Sequence, residues 1–188
     1  MSQESKHLRK LSAQPDFELA ADDIRGWVVK DMNMQEIGRI NDLIIDIDQN
    51  KIRYLDIVAI PEITAGVGSR HLLVPVGAAE LQPTEDEAVI REIDKQTLFA
   101  APEYKGGPIT LDYEHELRNS ITHQYVTSER KEKTTVQSEG KSTSDDFYNS
   151  SEFNENRLYG PRWLRSGGMA GVTTFPEGEG RFKLRRKH

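Results

Sequence analysis

Leu43-Ile44-Ile45-Asp46-Ile47-Asp48-Gln49-Asn50-Lys51-Ile52-Arg53-Tyr54-Leu55-Asp56-Ile57-Val58-Ala59-Ile60-Pro61 decides the fold. Two runs rich in β-branched residues flank a short polar break, the pattern of a hairpin. The first run belongs to a strand expected over Glu36 to Asp48. Leu43, Ile45 and Ile47 share one of its faces, because successive side chains of a strand alternate. Ile40 falls on the opposite parity, so an extra residue is expected near Asn41-Asp42, a β-bulge of the kind that curves small barrels. Asp48-Gln49-Asn50-Lys51 is the turn, with Asn50 best suited to a left-handed backbone. The second run, Ile52 to Ile60, places Leu55, Ile57 and Ala59 inward and Asp56 outward, and Pro61 ends it.

Upstream, Trp27-Val28-Val29 reads as a strand after Gly26, closed by the polar turn Asp31 to Gln35. Downstream, Glu62 to Ser69 reads as a flexible loop and Arg70 to Val76 as a strand. Glu80-Leu81-Gln82 and Ala88-Val89-Ile90 read as short strands around the acidic turn at Glu85-Asp86-Glu87. A short helix is expected from an Asp94 cap through Leu98 and Phe99 to Pro102. A second is expected from a Thr110 cap to about Ser120, with Asp112 and Glu114 in its first turn. The expected fold is therefore mainly β: a small barrel of about six short strands, one or two short helices behind it, and a disordered tail.

Residues 1–15 are polar without periodicity and are expected to be disordered, ahead of a folded unit over 16–119. In residues 120–157, 12 of 38 side chains are Ser or Thr and large apolar residues stand singly, the composition of a disordered linker. Residues 158–188 form a C-terminal peptide segment with a basic end.

The chain has 188 residues and no cysteine, which excludes disulfides, thiolate metal sites and cysteine nucleophiles. No apolar run approaches the ~18–20 residues of a membrane span, and no leader-like apolar stretch precedes Leu43, so a cytoplasmic protein is expected. The net charge of −6 is unevenly spread. Asp16 to Arg118 holds 21 acidic and 10 basic residues, a balance of −11, and the remainder carries +5. An acidic body argues against nucleic acid as a partner, because phosphate contacts need clustered Lys and Arg.

Ile24-Arg25-Gly26-Trp27-Val28-Val29, Ile37-Gly38-Arg39-Ile40-Asn41-Asp42-Leu43-Ile44-Ile45-Asp46, Arg53-Tyr54-Leu55 and Leu73-Val74-Pro75-Val76-Gly77 stand in one characteristic order. Pro102-Glu103-Tyr104, Ile109-Thr110 and Tyr113-Glu114 complete it. In that order and punctuation the chain resembles the PRC-barrel family, named for the photosynthetic reaction centre H subunit. The resemblance implies a stand-alone member: a small β-barrel used as a protein-interaction or scaffold module, with a stress-related role by family analogy. The 21 residues before Asp22 are too few and too polar for the membrane helix of the reaction-centre subunit, so membership of a reaction centre is not expected. The same 21 residues leave no room for the RNA-binding domain of the ribosome-maturation relative, so that role is not expected either.

No catalytic constellation stands out, and no catalytic, metal or cofactor-binding residue is assigned. Asp46-x-Asp48-x-Asn50 opens like a calcium loop but has Lys51 and Ile57 where glycine and an acidic residue are required. Gly66-Val67-Gly68 lacks the rest of a phosphate loop. The candidate partner contacts are Arg70 and His71, where a loop opens onto a strand, and the aromatic-basic set Tyr159, Arg162, Trp163 and Arg165. To these add the basic end, Arg181, Lys183, Arg185, Arg186 and Lys187, which reads either as a solvated terminus or as an anchor for an anionic surface. The C-terminal set either binds a partner or folds back on its own barrel. An unidentified protein partner and a homo-oligomer both suit this reading. The alternatives are an RNA- or ribosome-associated factor and a small-ligand or metal-binding protein.

Overall fold

Glu36–Asp46 and Lys51–Ala59 are the two longest strands, paired antiparallel across the expected turn, where Asn50 has a φ of 55°. We label the strands in chain order: β1 (Leu8–Lys10), β2 (Phe17–Leu19), β3 (Val28–Lys30), β4 (Glu36–Asp46), β5 (Lys51–Ala59), β6 (Arg70–Pro75), β7 (Ala79–Gln82), β8 (Glu87–Ile90) and β9 (Leu184–Arg186). The helices are α1 (Lys95–Ala100) and α2 (Leu111–Ser128), and 3-10 turns occupy Leu11–Ala13 and Val76–Ala78. This computed structural model describes residues 5, 7–19, 23–62, 68–82, 84–91, 93, 95–128, 148–149, 153–154, 157–158 and 184–187.

The sheet path is β6-β5-β4-β3-β8-β7, with β1 added beside β4. β6 and β7 stand at opposite ends of that path, yet only Val76–Ala78 separates them in sequence. Four Cα steps from Pro75 to Ala79 reach ~14 Å at most, so the sheet must curl to bring its two ends near each other. That curl makes the half-barrel. Two irregularities help to bend it. Between β4 and β5 the register passes from Ile40↔Ile57 to Asp42↔Asp56, leaving Asn41 extra, where the parity of Ile40 placed it. It slips again from Ile44↔Tyr54 to Ile45↔Ile52, leaving Arg53 extra on β5.

Ile40, Leu43, Ile45, Leu55, Ile57, Val74, Leu81 and Ile90 are all buried in one core, and Trp27 joins it at 8% exposure. Gly38 faces Ala59, and a Cβ there would lie 2.2 Å from the Val58 carbonyl oxygen, so only glycine lets the strands approach this closely. The hydroxyl of Thr110 caps α2 by accepting the Tyr113 amide at 3.2 Å. The helix then runs to Ser128, eight residues past its expected end.

Three expectations are corrected. Residues 1–15 are not without structure: β1 pairs with Asp46–Ile44 of β4, and Leu8 and Leu11 are buried. A three-residue strand is too short to show periodicity. Asp56 does not face solvent, because both faces of β5 are covered and its carboxylate is wholly buried. The expected linker, 120–157, begins as helix and later contributes Tyr148 and Phe153 to the core, joined by Leu158 just beyond it. Most of the expected loop, residues 63–67, lies outside the described residues. Among the described residues no helix is long and apolar enough to cross a membrane.

Candidate functional site

The outer face of β5 carries two buried polar centres, and each receives the side chain of one bulged residue. A bulge turns its extra residue out of the ladder and re-aims its side chain. Asn41 is thereby aimed at Asp56, and Arg53 at Asp46.

In the first centre, Asp56 Oδ2 accepts from Lys10 Nζ at 3.2 Å and from Asn41 Nδ2 at 3.0 Å, while His71 Nδ1 lies 2.8 Å from Oδ1. A carboxylate with no solvent exposure needs such partners to offset its lost hydration. Lys10 also lies over the Tyr104 ring, 5.1 Å from its centre. The Tyr104 amide donates to the His71 carbonyl at 2.9 Å, and its hydroxyl to the Gly107 carbonyl at 3.0 Å. Burial, with the nearby charges of Asp56 and Asp42, pushes the Tyr104 phenol up to about 12. Lys10, His71, Glu103, Tyr104, Lys105 and Gly106 line a cleft of ≈340 Å³ beside this centre. Arg70, next to His71, donates to the Ala101 carbonyl and so holds the end of α1 against the sheet.

In the second centre, Glu114 on the first turns of α2 is almost wholly buried. Its carboxylate accepts from the Ser5 hydroxyl at 2.7 Å, the Tyr54 hydroxyl at 2.8 Å and the Tyr148 hydroxyl at 2.5 Å. Burial first, and then the Glu114 charge, drive the phenols of Tyr54 and Tyr148 far above the ordinary tyrosine value. Phe153 meets both Tyr54 and Tyr148 edge-on, at 5.3 and 5.1 Å between centroids. The Arg53 guanidinium covers the Tyr148 ring at 4.2 Å and donates to Asp46 Oδ2 at 3.0 Å. Asp46 Oδ1 meanwhile accepts the amides of Asp48 and Gln49, so the calcium-like triplet works as a hairpin turn.

A third feature joins the two ends of the sequence. β9 pairs antiparallel with β2 in a separate two-stranded sheet, Phe17↔Arg186, Glu18↔Arg185 and Leu19↔Leu184. Leu184 is buried, its carbonyl accepts from Asn50 Nδ2 at 3.1 Å, and the Lys187 amide donates to the Asp16 carbonyl at 2.7 Å. Arg185 Nε lies 3.2 Å from Glu18, and the Arg186 guanidinium sits 5.1 Å from the Phe17 ring centre.

The sequence-derived contacts thus divide. Arg70 and His71 stand together at the first centre, whereas Arg185, Arg186 and Lys187 stand on β2. The basic end is not merely a solvated terminus, since β9 orders it. Tyr159, Arg162, Trp163, Arg165, Arg181 and Lys183 lie outside the described residues. Sequence reasoning missed Lys10, Asn41, Asp56, Tyr104, Glu114 and Tyr148. No local pattern singles out Tyr148, Phe153 and Leu158 in a polar segment that also holds Phe147 and Tyr159. A model of the PRC-barrel domain matches residues 17–96. No curated protein matches the chain.

Proposed function

We propose that this chain, whose residues 17–96 match a model of the PRC-barrel domain, is a non-enzymatic protein-interaction or scaffold module. The observation that carries the reading is that the barrel docks chain segments remote in sequence. Tyr148 and Phe153 bind over the outer face of β5, and Leu184–Arg186 along β2. A surface that holds short segments through one buried ring or leucine and a few directed polar groups works as a peptide-binding surface does. The titratable groups at the first centre hold structure: Asp56 ties β1, β4 and β6 to β5. The reading includes a cytoplasmic location, which cell fractionation tests.

The deciding experiment is affinity capture from native lysate with the full chain, compared with Tyr148→Ala. A defined protein retained in fixed ratio, and changed by the substitution, supports the module. Co-purifying ribosomal proteins would move the reading to a ribosome-associated factor, and turnover abolished by His71→Ala would overturn it. The ≈340 Å³ cleft at Lys10, His71 and Tyr104 favours a second reading, a small-ligand protein. Native mass spectrometry separates the two, since a bound molecule lost on His71→Ala would select the second.

A further inference from the structure

The short β2–β9 ribbon is a place where this barrel pairs its own main chain with a remote segment, in the manner of peptide recognition. Among the described residues β2 pairs with β9 alone, so without β9 its Phe17–Leu19 edge has no ladder partner there. Along that edge the recognition is separable into parts. Main-chain pairing, extended by Lys187 to Asp16, is indifferent to sequence. Leu184 fills an apolar position at 1% exposure. Glu18 receives Arg185, and the Phe17 ring receives Arg186. Asn50, held at the tip of the β4–β5 turn, donates to the Leu184 carbonyl and fixes the register. A cleft of ≈300 Å³, lined by Leu11, Phe17, Glu18, Leu19 and Asp23, continues beside Lys187 and leaves room for more chain.

We propose that the Phe17–Leu19 edge is a docking site for an extended peptide of a partner protein, carrying an apolar residue followed by two basic ones, and that Leu184–Lys187 is its internal occupant. The inference rests on the interaction reading above and names the partner's chemistry. Charge agrees with it: the barrel region carries −11 and the remainder of the chain +5. Strand addition supplies affinity through the main chain, while side-chain sites on alternate residues supply selectivity. A three-residue strand makes few ladder bonds, so the occupant is displaceable. The occupant belongs to the same chain, with 25 residues between Leu158 and Leu184, and so stays near the edge. An outside peptide therefore competes with a local concentration of the internal one.

The probe is a fluorescein-labelled synthetic peptide of residues 181–188. It should bind the Leu184→Asp chain at least tenfold tighter than the intact chain, because the substitution empties the edge. Adding Glu18→Arg should weaken that binding several-fold, and a peptide with Arg185→Glu should recover it. Equal binding by the intact and Leu184→Asp chains, or indifference to Glu18→Arg, would overturn the proposal. A second measurement needs no substitution: excess peptide added to the intact chain should strip hydrogen-exchange protection from the amides of 184–186 and leave β4 and β5 untouched. Unchanged protection of 184–186 at saturating peptide would count against the site. Concentration-dependent dimers that Leu184→Asp abolishes would assign the edge to a second copy and overturn the claim of a separate partner. If lysate capture still yields a defined protein while the peptide fails, the interaction reading stands and only this site is lost.

Discussion

In the β4–β5 hairpin, pairing partners are neighbours in sequence, and register is set by main-chain ladders and apolar side chains. The segments laid over its outer face come from farther away: Lys10 is 46 residues from Asp56, and Ser5 is 109 and Tyr148 34 from Glu114. A handful of directed polar groups helps to fix them, beside the pairing of β1 with β4 and the ring contacts of Phe153. The difference teaches where specificity resides. Any well-packed apolar set of the right volume maintains a hairpin, but a segment docked through a buried carboxylate is weakened when its donor to that carboxylate is lost.

Substitutions test that contrast, beginning inside the barrel. Trp27→Ala should cost ~3–5 kcal/mol by urea denaturation, since the ring is buried. An unchanged melting temperature would place the indole outside the core. Gly38→Ala should cost ~3 kcal/mol or more, because the added methyl meets the Val58 carbonyl and overpacks two strands at once. A loss under ~1 kcal/mol would show that the strands separate easily there.

Alkaline pH tests the outer face as a whole. Burial, the largest cause in each case, raises the phenols of Tyr54, Tyr104, Tyr113 and Tyr148, that of Tyr104 to about 12. Below the unfolded value near 10 both states keep these protons, and stability is unaffected. Above it the unfolded chain releases them while the folded chain holds on, so stability falls as pH rises. Urea midpoints at pH 8, 10 and 11 should decline in that order, and ultraviolet titration of the folded protein should find these four of the six tyrosines unionised at pH 10. Full ionisation at pH 10 in the folded state would contradict the burial.

Tyr148→Phe sharpens the comparison further. It keeps the ring against Phe153 and Arg53 but removes one donor from buried Glu114, a loss of ~1.5–3 kcal/mol. Hydrogen exchange should show β4 and β5 still protected while Tyr148 and its neighbours loosen; equal loosening throughout would erase the distinction between the two regions. The smallest effect has the opposite sign. Met34 is half exposed in the β3–β4 turn at a φ of 63°, a conformation that costs a side chain little only in glycine. Met34→Gly should stabilise by ~0.5–1 kcal/mol, and a lower melting temperature would show that the methionine side chain contributes there.

The same contrast explains what the residues disclosed on inspection. The hairpin, its turn at Asn50 and the extra residue at Asn41 were all legible, because alternation and a parity break are local patterns. The second slip, at Arg53, left no mark, since Ile52 and Tyr54 suit either face. Asp56 looked solvent-facing because nothing near it in sequence announces the covering from β1, β6 and Tyr104. Glu114 read as a first-turn acid favourable to the helix dipole, and its three donors come from three separate parts of the chain. Single aromatic residues in a Ser- and Thr-rich segment have the composition of disorder, so burial of Tyr148 and Phe153 follows only from the shape they fit.

The 167 residues between Glu18 and Arg185 also set a clock. A ribosome adding ~5–20 residues per second needs roughly 8–33 s to pass from one to the other, whereas a hairpin such as β4–β5 closes in ~1–10 μs. During birth, then, the residues of the barrel's sheet are all made long before β9 exists. For those seconds the Phe17–Leu19 edge meets no internal competitor, so a peptide that docks there would engage a nascent chain more readily than a finished one.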